Sequence, residues 1–320
     1  MIGVIGAGAF GTALSLALGH NGAEVRLWAR NGAQAAQMQT SRNTDGRLPG
    51  FLLPKTVTVT AEIGVLADAA VILLAVPMQQ LAGFLDQNPG VCGPQPLVAC
   101  CKGMDLASLR GPTAVIAAAC PAAPVAVLTG PSFAADIARG LPTALTLACA
   151  DPQTAHMLQR LLSTPVLRLY RTDDVTGAEM GGALKNVVAI AAGIVIGAGL
   201  GESARAAIIT RGHAEMLRMA ADLGARPDTL AGLSGLGDLI LTCTSPQSRN
   251  FQYGLALGAG RISDANVTVE GVLTAKAVSV LAAQRFVDMP IATMVAAVLD
   301  GKITIRDATD ALLARPLKQE

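Results

Sequence analysis

The spacing of hydrophobic and polar positions divides the chain into two parts of different character. Through the first part short apolar runs recur at Met1–Gly6, Glu24–Trp28, Val57–Thr60, Ala70–Val76, Leu97–Cys101, Val125–Leu128, Thr143–Ala148 and Val166–Tyr170. Their length and their glycine, proline and polar flanks predict strands, and the helical patterns between most of them predict an α/β alternation. Ala70–Val76 is apolar throughout, as expected of a central parallel strand covered on both faces. Beyond Thr172-Asp173-Asp174 the pattern turns helical. Helices are expected over Val175 to about Val195, Glu202–Gly224, Pro246–Leu257, Glu270–Gln284 and Ile291–Leu299, with a last one after Thr304, a fair N-cap with Asp307 three residues on. Pro246 suits the first turn of its helix, and Gly232–Asp238 reads as a glycine-rich loop ending in an acidic side chain. The expected architecture is a doubly wound, mostly parallel sheet over residues 1–174 followed by an all-helical domain over residues 175–320.

Length supports two domains, because 320 residues can bury two cores. Hydrophobic residues make up 52% against 15% charged, and the mean hydropathy of +0.48 makes a membrane segment the first thing to exclude. The longest uncharged run, Val187–Gly201, is short for a bilayer span and contains four glycines; Thr113–Ala135 is broken by Pro121, Pro124 and Pro131. A soluble protein without an integral membrane segment is expected. Formal charge is +1 and only one Trp, two Tyr and six Phe are present, so neither a basic field nor stacking aromatics point to nucleic acid. Cys92, Cys100, Cys101, Cys120, Cys149 and Cys243 form no CxxC pair; they read as small buried hydrophobes in a reducing compartment. Met1 is followed at once by the first strand, leaving no room for a signal peptide, so the cytoplasm is the expected location.

The first strand runs into Gly6-Ala7-Gly8-Ala9-Phe10-Gly11 and then a helical pattern, Thr12–His20. In that context GxGxxG acquires meaning: Gly6 permits the tight turn, Gly8 lets backbone approach a pyrophosphate, and Gly11 lets the helix pack against the strand. The free N–H groups of the helix N-terminus face the phosphates. The first domain is therefore expected to be Rossmann-like. At the end of the second strand an NAD-selective site usually carries an acidic residue for the ribose hydroxyls, whereas this chain has Arg30. A guanidinium there stacks on adenine and pairs with a 2′-phosphate, which favours NADPH, with NAD still open if Arg30 is only a solvated loop charge.

Ligands of open α/β sheets sit beyond the carboxyl ends of the strands. Three such ends here are polar or glycine-rich: Val76–Gln79, Cys101–Gly103 and Thr129–Phe133. Lys102 offers a cation to an anionic substrate, and Gly130 and Ser132 are placed to line the cleft; ordinary turn chemistry is the alternative. In the second part, Gly181–Asn186 precedes the uncharged run with Lys185 inside it. An ammonium among so little charge is partly desolvated, which lowers its pKa towards the range useful for proton transfer. The commoner alternative is a surface lysine whose stem packs on an apolar neighbour. Arg249 and Asn250 near a helix N-terminus read as an anion cradle or as part of a capped surface helix. His20, His156 and His213 lack metal-ligand spacing, and Ser132 has no GxSxG turn.

These pieces together resemble the soluble bacterial-type NAD(P)-dependent glycerol-3-phosphate dehydrogenases. The similarity runs from Gly3 to about Lys276 through GAGAFGTAL, LWAR at Arg30, CKG at Lys102, GPSFA from Gly130, ALKNVVAIAAGI from Ala183, ITRG from Ile209, GLGDL around Asp238, SRN from Ser248 and VEG from Val269. The resemblance implies reversible reduction of dihydroxyacetone phosphate to sn-glycerol 3-phosphate for phospholipid synthesis. It implies Lys185 as proton donor and acceptor, with Lys102, Gly130, Ser132, Asp238, Ser248, Arg249 and Asn250 as substrate contacts. Phe10, Arg30, Lys102, Ala134, Arg249 and Glu270 match cofactor positions, beside Gly6, Gly8 and Gly11 of the turn. Departures from the usual pattern are Ile196-Gly197 for an Asp-Gly pair, Ser203 for an asparagine, Asp136 for a glutamate and Ala9-Phe10 for Ser-Trp. Two other readings stay open at this point: a β-hydroxyacid dehydrogenase relative, against which the SRN segment speaks, and an NADPH-binding sensor without turnover. A homodimer through the glycine- and alanine-rich helices of the second domain is also open.

Overall fold

The computed structural model describes residues 1–44, 46–261 and 269–316. The chain forms two compact units, Met1–Lys102 with Arg110–Glu179, and Gly103–Leu109 with Met180–Glu320. The division falls inside a helix, a few residues beyond the 174/175 boundary of the sequence reading.

The first unit is one eight-stranded sheet. Its strands are β1 (Ile2–Ile5), β2 (Val25–Trp28), β3 (Val57–Thr60), β4 (Val71–Leu74), β5 (Leu97–Ala99), β6 (Val125–Thr129), β7 (Thr143–Cys149) and β8 (Leu167–Thr172). They lie in the order β3-β2-β1-β4-β5-β6-β7-β8, and the ladders are parallel except β6 against β7. All eight expected strands are present. The helices α1 (Ala9–His20), α2 (Gly32–Ser41), α3 (Met78–Gln87), α4 (Pro112–Ala119), α5 (Ala134–Ala138) and α6 (Pro152–Leu162) connect them.

The period-2 alternation of strand side chains explains why the central runs are apolar on every residue. Ile2, Val4, Val71, Leu73 and Val98 enter one core with Leu14 and Leu18 of α1 and Leu158 and Leu162 of α6. Ile5, Ile72, Leu74, Leu97 and Ala99 enter a second core, on Met78, Leu81 and Leu85 of α3 and Ile116 of α4. Both faces of the sheet are thus covered, which fixes the carboxyl ends of the strands as the place where loops can hold a ligand.

The second unit is helical. It contains α7 (Val175–Gly197) from Met180 onward, then α8 (Glu202–Asp222), α9 (Pro227–Ala231), α10 (Asp238–Thr244), α11 (Arg249–Gly258), α12 (Glu270–Arg285), α13 (Pro290–Leu299) and α14 (Ile305–Leu313). α7 is the centre of its core: Leu184, Val187, Val188, Ile190 and Ile194 pack with Met216, Met219, Leu239, Phe251 and Val278. Its length and composition would suit a membrane span, but 89% of its most apolar window is buried inside the protein. Apolarity all round is what a buried core helix requires. Ile196, at the place of the family's usual aspartate, packs against the same core.

Glycine makes one contact of this unit possible. An added Cβ at Gly193 or Gly197 of α7 would collide with the Phe251 or Leu255 carbonyl of α11, and one at Gly254 or Gly258 with the Ile190 or Ile194 carbonyl of α7. The two helix backbones therefore touch directly, and the small residues that suggested self-association are used inside the chain.

Three expectations need correction. Gly232–Asp238 is not a loop: Leu233–Gly237 forms a wide helical turn, with the Gly237 N–H donating to the Gly232 carbonyl at 3.1 Å, and it leads into α10. Next, α11 begins at Arg249 instead of Pro246, because the Ser248 hydroxyl caps it by accepting the Phe251 N–H at 3.2 Å. Finally, Cys92 and Cys120 are joined in a disulfide, while Cys100, Cys101, Cys149 and Cys243 lie outside any disulfide and are buried as expected. The Thr304 cap is present as a full capping box with Asp307.

Candidate functional site

In the first unit the surroundings of the three glycines of the turn differ. Gly6 has φ +109°, and an added Cβ would lie 2.6 Å from the Ala75 carbonyl; one at Gly11 would collide with the Gly6 carbonyl. At Gly8 an added Cβ would meet nothing within 4 Å. Gly6 and Gly11 are therefore required by the chain itself, whereas Gly8 keeps open a space beside the α1 N-terminus. Gly8 is the α1 N-cap and supplies no side-chain oxygen, so the first-turn N–H groups have no side-chain cap. This cradle fits a dinucleotide pyrophosphate. Phe10 packs partly against the core below it, as does Ala134 at the first position of α5. Arg30 is exposed at the end of β2.

Lys102, Gly130 and Ser132 come together at neighbouring strand ends of the same unit. Lys102 Nζ donates to the Gly130 carbonyl at 2.8 Å, and the Ser132 hydroxyl donates to the same oxygen at 3.2 Å. Gly130 has φ +131°, which turns the chain out of β6 and aims that carbonyl.

In the second unit Lys185 is only 6% exposed. Its Nζ donates to Asp238 Oδ1 and to Thr242 Oγ1, both at 2.7 Å. Asp238 is itself buried, so the ammonium and carboxylate are taken out of water as a pair. Thr242 escaped the sequence reading. It stands four residues after Asp238 on α10 and donates to the Asp238 carbonyl at 2.6 Å, a spacing that carries meaning only once the segment is known to be helical. Cys243, within electrostatic range of the pair, is pushed up to about 12 by burial and offers no thiolate.

Asn186, adjacent to Lys185, is the second residue the sequence reading missed. Its Oδ1 accepts from Asn250 Nδ2 at 2.9 Å, and Asn250 Oδ1 accepts the Gly271 N–H at 3.0 Å. Asn250 is thus engaged in tying α7, α11 and the start of α12 together. Ser248 is buried as the α11 cap, and Arg249 follows it as an exposed guanidinium at the first helical position. Glu270 opens α12. Among the described residues no cluster of His, Cys, Asp or Glu is arranged to hold a metal ion.

The mostly parallel sheet and its glycine cradle define a dinucleotide-binding domain of the kind that NAD(P)-dependent dehydrogenases carry. Models of the NAD-dependent glycerol-3-phosphate dehydrogenase N-terminus and C-terminus match residues 1–155 and 174–310. The chain belongs to that family. It is 60% identical over 320 residues to a glycerol-3-phosphate dehydrogenase [NAD(P)+] of Cereibacter sphaeroides, covering 100% of both chains. A relative of the same description from Paracoccus denitrificans is 60% identical over 319 residues, covering 100% of this chain and 99% of its own. The solved glycerol-3-phosphate dehydrogenase of Coxiella burnetii superposes with a TM-score of 0.92 at 36% identity, covering 98% of each chain.

Proposed function

We propose that this chain catalyses the reversible NAD(P)H-dependent reduction of dihydroxyacetone phosphate to sn-glycerol 3-phosphate, with Lys185 as the proton donor and acceptor. The observation that carries the assignment of Lys185 is its burial in hydrogen-bonding contact with Asp238 and Thr242. Reduction of a ketone leaves an alkoxide that must gain a proton. The nicotinamide, when bound, supplies the hydride. Lys185 then gives a proton to the substrate oxygen and recovers it in the reverse direction, with Asp238 orienting the ammonium between turnovers.

The remaining assignments follow from chemistry. Arg249 is an exposed guanidinium at the N-terminus of α11, suited to a phosphate. Lys102, with Gly130 and Ser132, supplies polar contacts at the strand ends. Asp238 and Ser248 are further substrate contacts, on the second unit. Asn250 contributes by holding Asn186 and Gly271, so it positions the helices that carry Lys185 and Arg249. Gly6, Gly8, Phe10 and Gly11 receive the cofactor, with Ala134, Lys102, Arg249 and Glu270 as further contacts, and Arg30 favours NADPH over NADH. The product is a phospholipid precursor. A cytoplasmic location belongs to the same reading. A homodimer is supported by exposed Val280 and Phe286 on and beyond α12 and is checked by sedimentation.

The test is the loss of NADPH absorbance, and separately NADH absorbance, when dihydroxyacetone phosphate is added to purified protein. Rapid loss is expected, faster with NADPH. No loss with either cofactor, in protein that binds NADPH, would overturn the assignment.

A further inference from the structure

A cavity of about 160 Å³ opens beside the glycine turn. Its wall includes Ala7, between Gly6 and Gly8, Thr12 of α1, Gln34 and Ser41 of α2, and Asn43 and Arg47 from the segment after α2. Among the described residues the lining contains one charge, the Arg47 guanidinium, and no carboxylate. Arg47 is exposed and has no hydrogen-bond or ion-pair partner among the described residues. Its segment is nevertheless held. Arg42 donates to the carbonyls of Pro54 at 2.5 Å and Val57 at 2.7 Å, and the Thr44 hydroxyl donates to those of Leu48 at 2.5 Å and Phe51 at 3.1 Å. The cavity is also tied to the end of β2. Asn31, the residue after Arg30, accepts the Gln34 N–H at 3.0 Å.

In a dinucleotide fold the adenine ribose lies beyond the end of the second strand, next to the turn after the first. A 2′-phosphate there brings two further negative charges, and one solvated guanidinium offsets them weakly. Two guanidiniums offset them far better. We propose that Arg47 is a second cofactor-specificity residue, binding the 2′-phosphate of NADPH together with Arg30. The inference rests on the reading of Arg30 as favouring NADPH.

Calorimetric titration with adenosine 2′,5′-bisphosphate and with 5′-AMP, fragments that have and lack the 2′-phosphate, tests it on the wild type, Arg30→Gln and Arg47→Gln. The Arg47→Gln variant is expected to bind the bisphosphate roughly ten- to a hundredfold more weakly, with 5′-AMP within about twofold of wild type. The kcat/KM for NADPH should fall in parallel while that for NADH holds. Unchanged bisphosphate binding in Arg47→Gln, or equal weakening of both fragments, overturns the role of Arg47. If Arg30→Gln alone loses the discrimination, the NADPH reading survives and only Arg47 is removed from it. A wild type that binds both fragments equally removes both.

Discussion

The two units use glycine for opposite ends. In the first, the absent Cβ of Gly8 leaves open space at a helix N-terminus, room for something that is not part of the chain. In the second, the absent Cβ groups of Gly193, Gly197, Gly254 and Gly258 are filled by carbonyls of the facing helix, room for the chain itself. The contrast separates an open surface from a scaffold. It also locates the cost of change: a side chain added at Gly8 meets no part of the chain, whereas one added at Gly254 competes with the fold.

The largest effect should come from the group that the scaffold holds. Lys185→Ala is expected to lower kcat on the order of a hundredfold to ten-thousandfold while NADPH affinity stays near wild type, read by steady-state kinetics and fluorescence titration. A variant keeping most of its rate would detach the proton-transfer role from α7. Next comes the scaffold itself. Gly254→Val forces apart α7 and α11 at the Ile190 carbonyl, and a loss of about 3 kcal/mol or more is expected, seen as a large fall in the denaturation midpoint. Gly8→Ala should leave that midpoint almost unchanged and weaken cofactor binding by about 1–2 kcal/mol. Equal thermal damage from both substitutions would erase the distinction drawn here.

The smallest effect concerns a feature that both units share. Glu179 in the first accepts the Thr113 N–H at 2.7 Å in the first turn of α4, and Glu215 in the second accepts the Ile291 and Ala292 N–H groups of α13 at 2.6 and 3.1 Å. Burial pushes each carboxyl up from 4.5 to about 7, against the lowering influence of those same N–H groups. Between these values the folded chain holds more protons than the unfolded one. The stability that the two groups contribute is therefore complete below 4.5 and is lost as pH rises through about 7. Glu215→Gln should flatten the dependence of the melting temperature on pH across this window, and a slope identical to wild type would show that Glu215 does not titrate there.

How much of this was legible in the sequence follows the same division. The cofactor turn is a run of six residues, and each strand announces itself by a local apolar run with its own flanks, so the whole first unit reads without knowledge of distant contacts. Lys102 and Ser132 read from strand ends for the same reason. In the second unit, Lys185 and Asp238 stand 53 residues apart, and only folding reveals that they touch. Thr242 and Asn186 were invisible for related reasons: one needs the helical phase of α10, which the glycines of Gly232–Asp238 concealed, and the other needs its partner Asn250, 64 residues on. The Cys92–Cys120 pairing lacked a signal because a separation of 28 residues with no motif leaves proximity to the fold. Resemblance to a family supplied Asp238 and Ser248 as functional positions, but not what their side chains touch.

The wide turn at Leu233–Gly237 makes the second unit sensitive to length. Its hydrogen bond spans five residues where an ordinary helical turn spans four, so the segment holds one residue more than a regular helix would need. Gly181 of α7 lies directly against it, with no space for a Cβ beside the Ser234 carbonyl. Removing one residue from the turn changes the path from α9 to Asp238, and with it the placement of the Asp238 and Thr242 side chains that meet Lys185. Exchanging side chains there is a milder disturbance than deleting any one of them. In this stretch the number of residues between α9 and Asp238 matters as much as which residues they are.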